Sequence, residues 1–159
     1  MEVQAWSSHG SWSECWSVLR EIQARQPGEI PSSSVAEEGP DVPEVPPAFL
    51  EGLSQLQIEL EEGELDRLGR FLDLLFEANA VMNLTGIRER DIAWNRHVLD
   101  SLTLVPLIEA SDAKRVLDLG SGGGFPGLPL AVTMPHVQFL LLEATGKKAR
   151  FLEQSASGI

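Results

Sequence analysis

Two apolar runs separated by a glycine cluster constrain this chain more than any other feature. Arg115-Val116-Leu117-Asp118-Leu119 stops at Gly120-Ser121-Gly122-Gly123-Gly124-Phe125-Pro126-Gly127, and Leu128 to Val132 begins at once. The first run reads as a buried strand and the second as the opening of a helix. Residues without a Cβ let backbone approach a ligand closely and take positive φ. A helix start leaves N–H groups without internal partners, which can point at that ligand. The corner therefore suits a nucleotide-like molecule.

Gly122-x-Gly124-x-x-Gly127 alone is shared by several cofactor classes. Two further residues narrow it. Asp118 lies inside the apolar run, where a charge must be satisfied; it is expected to cap the glycine loop or to face the ligand. Glu143 ends a second strand-like run, Val137 to Leu142, about 20 positions beyond Gly120, the place of a ribose-binding acid in a βαβ unit.

The lead-in to this unit reads as helical. Phe49, Leu53, Leu56 and Leu60 keep helical spacing, and Glu61-Glu62-Gly63 interrupts. Leu65, Leu68, Leu72, Leu75 and Phe76 then mark one face of a second helix reaching about Val81. Asn83-Leu84-Thr85-Gly86-Ile87 reads as a loop. A third helix is expected from Asp91, as its cap, to about Leu104, with Ile92, Leu99, Leu102 and Val105 inward. His97 reads as a helix residue hydrogen-bonded to Asp100, a commoner fate than catalysis. Arg88, Arg90 and Arg96 form a basic cluster, either solvated beside Glu89 and Asp91 or available to phosphate. Lys147, Lys148 and Arg150 form another, near the start of a last helix.

Before Ala48 the pattern is different. Trp6, Trp12 and Trp16, with Val18, Leu19 and Ile22, suggest an amphipathic helix over about Ser11 to Arg25, ended before Pro27. Pro27 to Pro47 has linker composition. Residues 1–48 are thus expected to be a peripheral leader and linker, 49–110 a helical subdomain, and 111–159 the first half of a Rossmann-like domain. Two strands do not make an independent parallel sheet, so the sequence reads as the front half of a domain.

Composition excludes several classes. With 159 residues and a net charge of −12, the chain has no global basic footprint for nucleic acid, and RNA would have to meet a local patch. One cysteine, Cys15, excludes a disulfide framework and a cysteine-rich zinc site, and no metal is expected. No apolar run approaches the ~20 residues of a membrane span, and no secretory signal opens the chain. A cytoplasmic monomer is the expectation.

Asn83-Leu84-Thr85, Arg96-His97-x-Leu99-Asp100-Ser101, Val116-Leu117-Asp118-x-Gly120-Ser121-Gly122-x-Gly124-Phe125-Pro126-Gly127-x-Pro129-Leu130 and Leu142-Glu143-x-x-Gly146-Lys147-Lys148 occur in that order. Together, over about Leu53 to Leu152, they resemble the bacterial ribosomal RNA small-subunit methyltransferase G family, also called the glucose-inhibited division protein B family. The resemblance implies an α/β fold: an N-terminal helical subdomain leading into a class I S-adenosylmethionine methyltransferase sheet, Rossmann-like and incomplete here. It implies S-adenosyl-L-methionine as cofactor and methyl transfer to N7 of a guanine in 16S ribosomal RNA. Carried over by position, Asp118, Gly120, Gly122, Gly124 and Phe125 belong to the cofactor loop. Glu143, Ala144 and Thr145 belong to its ribose–adenine end, and Asn83, Arg96 and His97 lie near the pocket as candidates for the chemistry. Two other readings stand beside this one: a non-catalytic fragment of that family, and a nicotinamide-dependent oxidoreductase built on the same turn.

Overall fold

The computed structural model describes residues 3–6 and 45–159. Residues 3–6 form strand β1 (Val3–Trp6). Helices α1 (Pro47–Leu56) and α2 (Glu64–Met82) follow. Next comes a helical run: α3 (Arg90–Ala93), a π-helical stretch (Trp94–Leu99) and α4 (Asp100–Leu102). After α5 (Val105–Ala110) the chain enters β2 (Arg115–Leu119), α6 (Gly127–Thr133), β3 (Gln138–Leu142) and α7 (Gly146–Gly158).

The three strands form one parallel sheet in the order β1-β3-β2. Val116 pairs with Phe139 and Asp118 with Leu141 across β2 and β3. On the other edge of β3, Val3 pairs with Phe139 and Trp6 with Leu142. The β2–α6–β3 segment is the βαβ unit expected from the sequence, since parallel neighbours need a crossover. β1 is a correction. Its residues lie in the stretch expected to be peripheral, and Trp6 belongs to a strand rather than to a helical face. The expected helix of Trp12 and Trp16, and the proline-rich linker up to residue 44, lie outside the described residues.

The core forms where α2 meets α6 and α7 and where α1 meets the π-helical run. Leu68, Phe71, Leu72 and Leu75 of α2 are fully buried, as are Phe49, Val98, Leu102 and Leu128. Phe49 and Trp94 pack with ring centroids 4.7 Å apart. This differs from the sequence reading of the third helix. Arg90, not Asp91, opens it, and its N-cap Glu89 makes no side-chain cap bond; Asp91 sits in the first turn, where its charge suits the helix dipole. Ile92 is 39 % exposed whereas Ala93 and Trp94 are buried. A π stretch inserts an extra residue per turn, so it shifts the apolar phase that plain helical spacing would give. Arg90 is also not a solvated cation beside Glu89 and Asp91. It pairs with Asp73 and donates to the Gly69 carbonyl, tying this run to α2.

β2 departs from the buried strand expected. Val116 and Asp118 are half-buried, but Leu117 is 55 % and Leu119 is 76 % exposed. Parallel sheets are normally covered on both faces, and among the described residues nothing covers this one. Leu117→Thr with Leu119→Lys is therefore expected to reduce concentration-dependent light scattering and dye binding to apolar surface, while the melting temperature stays nearly unchanged. Unaltered scattering in the double variant would mean that this face is not the sticky one.

Candidate functional site

The glycine corner divides its residues into two groups by what a Cβ would meet. Gly120 has φ +83° and nothing within 4 Å of that position; Gly122 has φ +54° and meets only the Gly120 carbonyl, at 3.8 Å. These two face open space. A Cβ on Gly124, φ +94°, would lie 2.6 Å from Leu128 Cδ1 and 3.1 Å from Phe71 Cζ. One on Gly127 would lie 2.7 Å from Asp118 Oδ2 and 2.9 Å from Leu141 Cγ. Those two let helix and strand close up. Only the first pair leaves room for a ligand against bare backbone.

Asp118 fulfils the capping half of its expectation: its Oδ2 accepts from the Gly127 N–H at 3.0 Å. Burial pushes its carboxyl up, against the stabilising Gly127 amide and Ser121 hydroxyl. One expectation is corrected here. The first amides of α6 do not point outward at a ligand. Gly127 donates to Asp118, Leu128 donates to the Gly124 carbonyl at 2.8 Å, and Pro129 has no N–H.

Glu143 is buried at the end of β3, 7 % exposed. Its Oε2 accepts from the Gly122 N–H at 2.9 Å and its Oε1 from the Thr145 N–H at 2.7 Å. Burial pushes the carboxyl up, but the Thr145 and Gly122 donors, with Lys148 nearby, outweigh it and hold it below the usual glutamate range. The acid thus clasps the glycine loop to the strand end. An ionised carboxylate has about four lone-pair sites; the two amides and the Thr145 hydroxyl take three, which leaves one for a further donor. Ala144 and Thr145 are exposed immediately beyond it.

His97 reaches the corner from the π-helical run. Its ring stacks on Phe125, centroids 4.5 Å apart and planes 19° apart. Phe125 also meets Phe71, at 5.1 Å. The expected hydrogen bond to Asp100 is not the one formed. His97 Nε2 instead meets Thr85 Oγ1 at 2.7 Å. Burial pushes the imidazole below its ordinary 6.5, against the raising effects of the Asp100 charge and the Arg96 backbone. Burial thus favours its neutral form. Arg96, His97, Asp100, Ser101, Phe125 and Pro126 line a pocket of about 280 Å³. Asn83, by contrast, is the exposed C-cap of α2, at φ 51°, and no hydrogen bond described here joins it to His97. Thr85 entered the sequence reading only as a loop and motif residue, without its contact to His97, and Asn79 did not enter it. The hint was a threonine and an asparagine flanking a histidine-bearing helix, which only the tertiary contact makes meaningful.

Among the described residues no cluster of three or more His, Cys, Asp or Glu could hold a metal ion. No described helix is long and apolar enough to cross a membrane.

A family model described as rRNA small subunit methyltransferase G matches residues 64–158. The chain is 46% identical over 115 residues to the ribosomal RNA small subunit methyltransferase G of Sorangium cellulosum, covering 72% of this chain and 48% of that one. It is 47% identical over 106 residues to the protein of the same name from Ectopseudomonas mendocina, covering 67% of this chain and 49% of that one. The chain spans about half the length of the curated relatives it matches.

Proposed function

The chain belongs to the rRNA small subunit methyltransferase G family, and from that premise we propose that its glycine corner binds S-adenosyl-L-methionine for methyl transfer to N7 of a guanine in 16S ribosomal RNA. The fold behind this is a class I methyltransferase sheet, Rossmann-like, with residues 111–159 as its first half and 49–110 as a helical subdomain. The setting is a cytoplasmic monomer that meets ribosomal RNA.

The observation that carries the reading is the fate of the first α6 amides. A dinucleotide lays its pyrophosphate on free N–H groups at this helix start. Here the Gly127 and Leu128 amides are taken by Asp118 and the Gly124 carbonyl, so they offer a phosphate no free donor. A sulfonium nucleoside has no phosphate and carries positive charge. The open backbone at Gly120 and Gly122 fits its close approach, and the remaining lone pair of Glu143 fits a ribose hydroxyl. Asp118, Gly124, Phe125, Ala144 and Thr145 complete the cofactor side. Arg96 and His97 line the neighbouring pocket, where we place the base; Asn83 lies further out.

The cofactor supplies an electrophilic methyl group, and the protein positions what attacks it. Guanine N7 carries a free lone pair, so it needs no deprotonation. A neutral His97 without a charged partner bonded to it is compatible with that chemistry, because no general base is required. Holding nucleophile and methyl in line can contribute up to ~7–11 kcal/mol. Phe125, shared by the glycine loop and the pocket, is placed to set that alignment.

Calorimetry of the 159-residue chain should show binding of S-adenosylhomocysteine and none of NAD. Gly122→Ala should weaken the former at least tenfold, about 1.4 kcal/mol, because its methyl enters the open space. Tight NAD binding, or unchanged affinity in the variant, would overturn the assignment.

A further inference from the structure

We propose that Thr85 is a positioning residue: anchored by the buried carboxamide of Asn79, it fixes the plane of the His97 imidazole against Phe125 and so shapes the pocket beside the glycine corner. Asn79 is 2 % exposed on α2. Its Nδ2 donates to the Thr85 carbonyl at 3.0 Å, and its Oδ1 accepts from the Leu84 and Thr85 amides at 2.7 and 2.9 Å. Three bonds from one side chain pin two consecutive residues of a loop to a core helix. The Thr85 side chain is thereby aimed. Its Oγ1 accepts from the Ile87 N–H at 3.0 Å and meets His97 Nε2 at 2.7 Å.

A hydroxyl has one proton and two lone pairs. With Ile87 taking one lone pair, the hydroxyl still has a proton or a lone pair for the imidazole, whichever tautomer is present. The other side of the linkage is equally definite. The imidazole lies nearly parallel to Phe125, and Phe125 packs on Phe71 of α2. Asn79 and Phe71 are two turns apart on one helix, so the loop, the imidazole and the aromatic ring close a circuit on α2. Among the described hydrogen bonds, Thr85 alone joins the loop to the imidazole. A threonine serving only the turn at Ile87 would have no effect on the ring of a histidine 12 residues away. The charge that acts on that ring is Asp100 of its own helical run, and Arg96 lines the same pocket.

That the pocket receives a base rests on the function proposed above; the placement of the ring does not. The test uses the 159-residue chain with isotope-labelled histidine, the His97 signals being identified by their loss in His97→Gln. In the unsubstituted chain, a nuclear Overhauser contact should join the His97 ring to the Thr85 methyl, and the ring signals should carry the upfield displacement of a stacked aromatic neighbour. Thr85→Val should abolish that displacement and move the His97 titration midpoint up toward its ordinary value, as the ring swings into solvent. Thr85→Ser should keep both signatures. Absence of the contact in the unsubstituted chain, or both signatures unchanged in Thr85→Val, would overturn the proposal. Where the valine variant does not fold, the contact in the unsubstituted chain still decides, and loss of both signatures in a folded Thr85→Ser, which keeps the hydroxyl, would also overturn the proposal. Adding S-adenosylhomocysteine separates the two claims. Glycine-corner amides that stay unmoved while the Thr85 signatures persist would sink the cofactor assignment alone.

Discussion

Gly124→Val is expected to cost about 4 kcal/mol, the sum of overpacking and of a β-branched residue at positive φ. The site allows no cheap relief. The new Cβ would stand 2.6 Å from Leu128 Cδ1, and Leu128 and Phe71 are both fully buried, so neither can yield without displacing core. φ at this position is +94°, outside the range open to valine. For a domain of ordinary stability, about 5–15 kcal/mol, that loss is a large fraction of the total. Gly122→Ala is the contrast. An alanine at φ +54° costs about 1–2 kcal/mol, and its methyl meets nothing closer than 3.8 Å. Chemical denaturation of the two variants should therefore separate widely, with Gly124→Val far below Gly122→Ala. Equal midpoints would show that the packing and ligand-facing roles of these glycines are not divided as described.

Much of this architecture was legible because it is local. A strand over 115–119, a helix at 128–132 and a strand over 137–142 follow from apolar runs broken by glycine. The structure places them at Arg115–Leu119, Gly127–Thr133 and Gln138–Leu142. The helices at Pro47–Leu56 and Glu64–Met82 follow from 3.6-residue spacing in the same way, except that Leu60, expected on the first, lies beyond its end, where Gln57 turns left-handed at φ 57°. What escaped is non-local. Four residues near the start choose β3 as their partner across more than a hundred positions, and no periodicity signals that. Ile92, expected inward with Leu99, Leu102 and Val105, faces outward, and Trp94, which spacing did not single out, is buried where the π stretch begins. Asp118 and Glu143 were recognisable as acids that must be satisfied, but not by which amides. His97 was expected on Asp100 because helix neighbours are visible in sequence; Thr85, lying on a loop, was not.

Glu143→Ala should lower stability by about 3 kcal/mol at neutral pH, since it strands the amides of Gly122 and Thr145 together. The sign of its pH dependence follows from the direction of its shift. Its folded carboxyl lies below the ordinary 4.5, so the folded state favours the ionised form. That contribution is fully present above 4.5 and is lost as pH falls through the depressed folded value. Asp118 works the other way. Its folded carboxyl is raised from 3.8, so its contribution is present below that value and lost as pH rises. The gap between unsubstituted chain and variant should therefore be widest above pH 4.5 and close on further acidification. The variant alone should resist acid better, relative to its own neutral-pH stability, because the opposing Asp118 effect remains. Denaturation midpoints from pH 3 to 7 check this. A gap constant across the range would mean that the carboxylate charge is not what holds the glycine loop to the end of β3. The Glu143 side chain would then clasp the loop through contacts that do not depend on its ionisation.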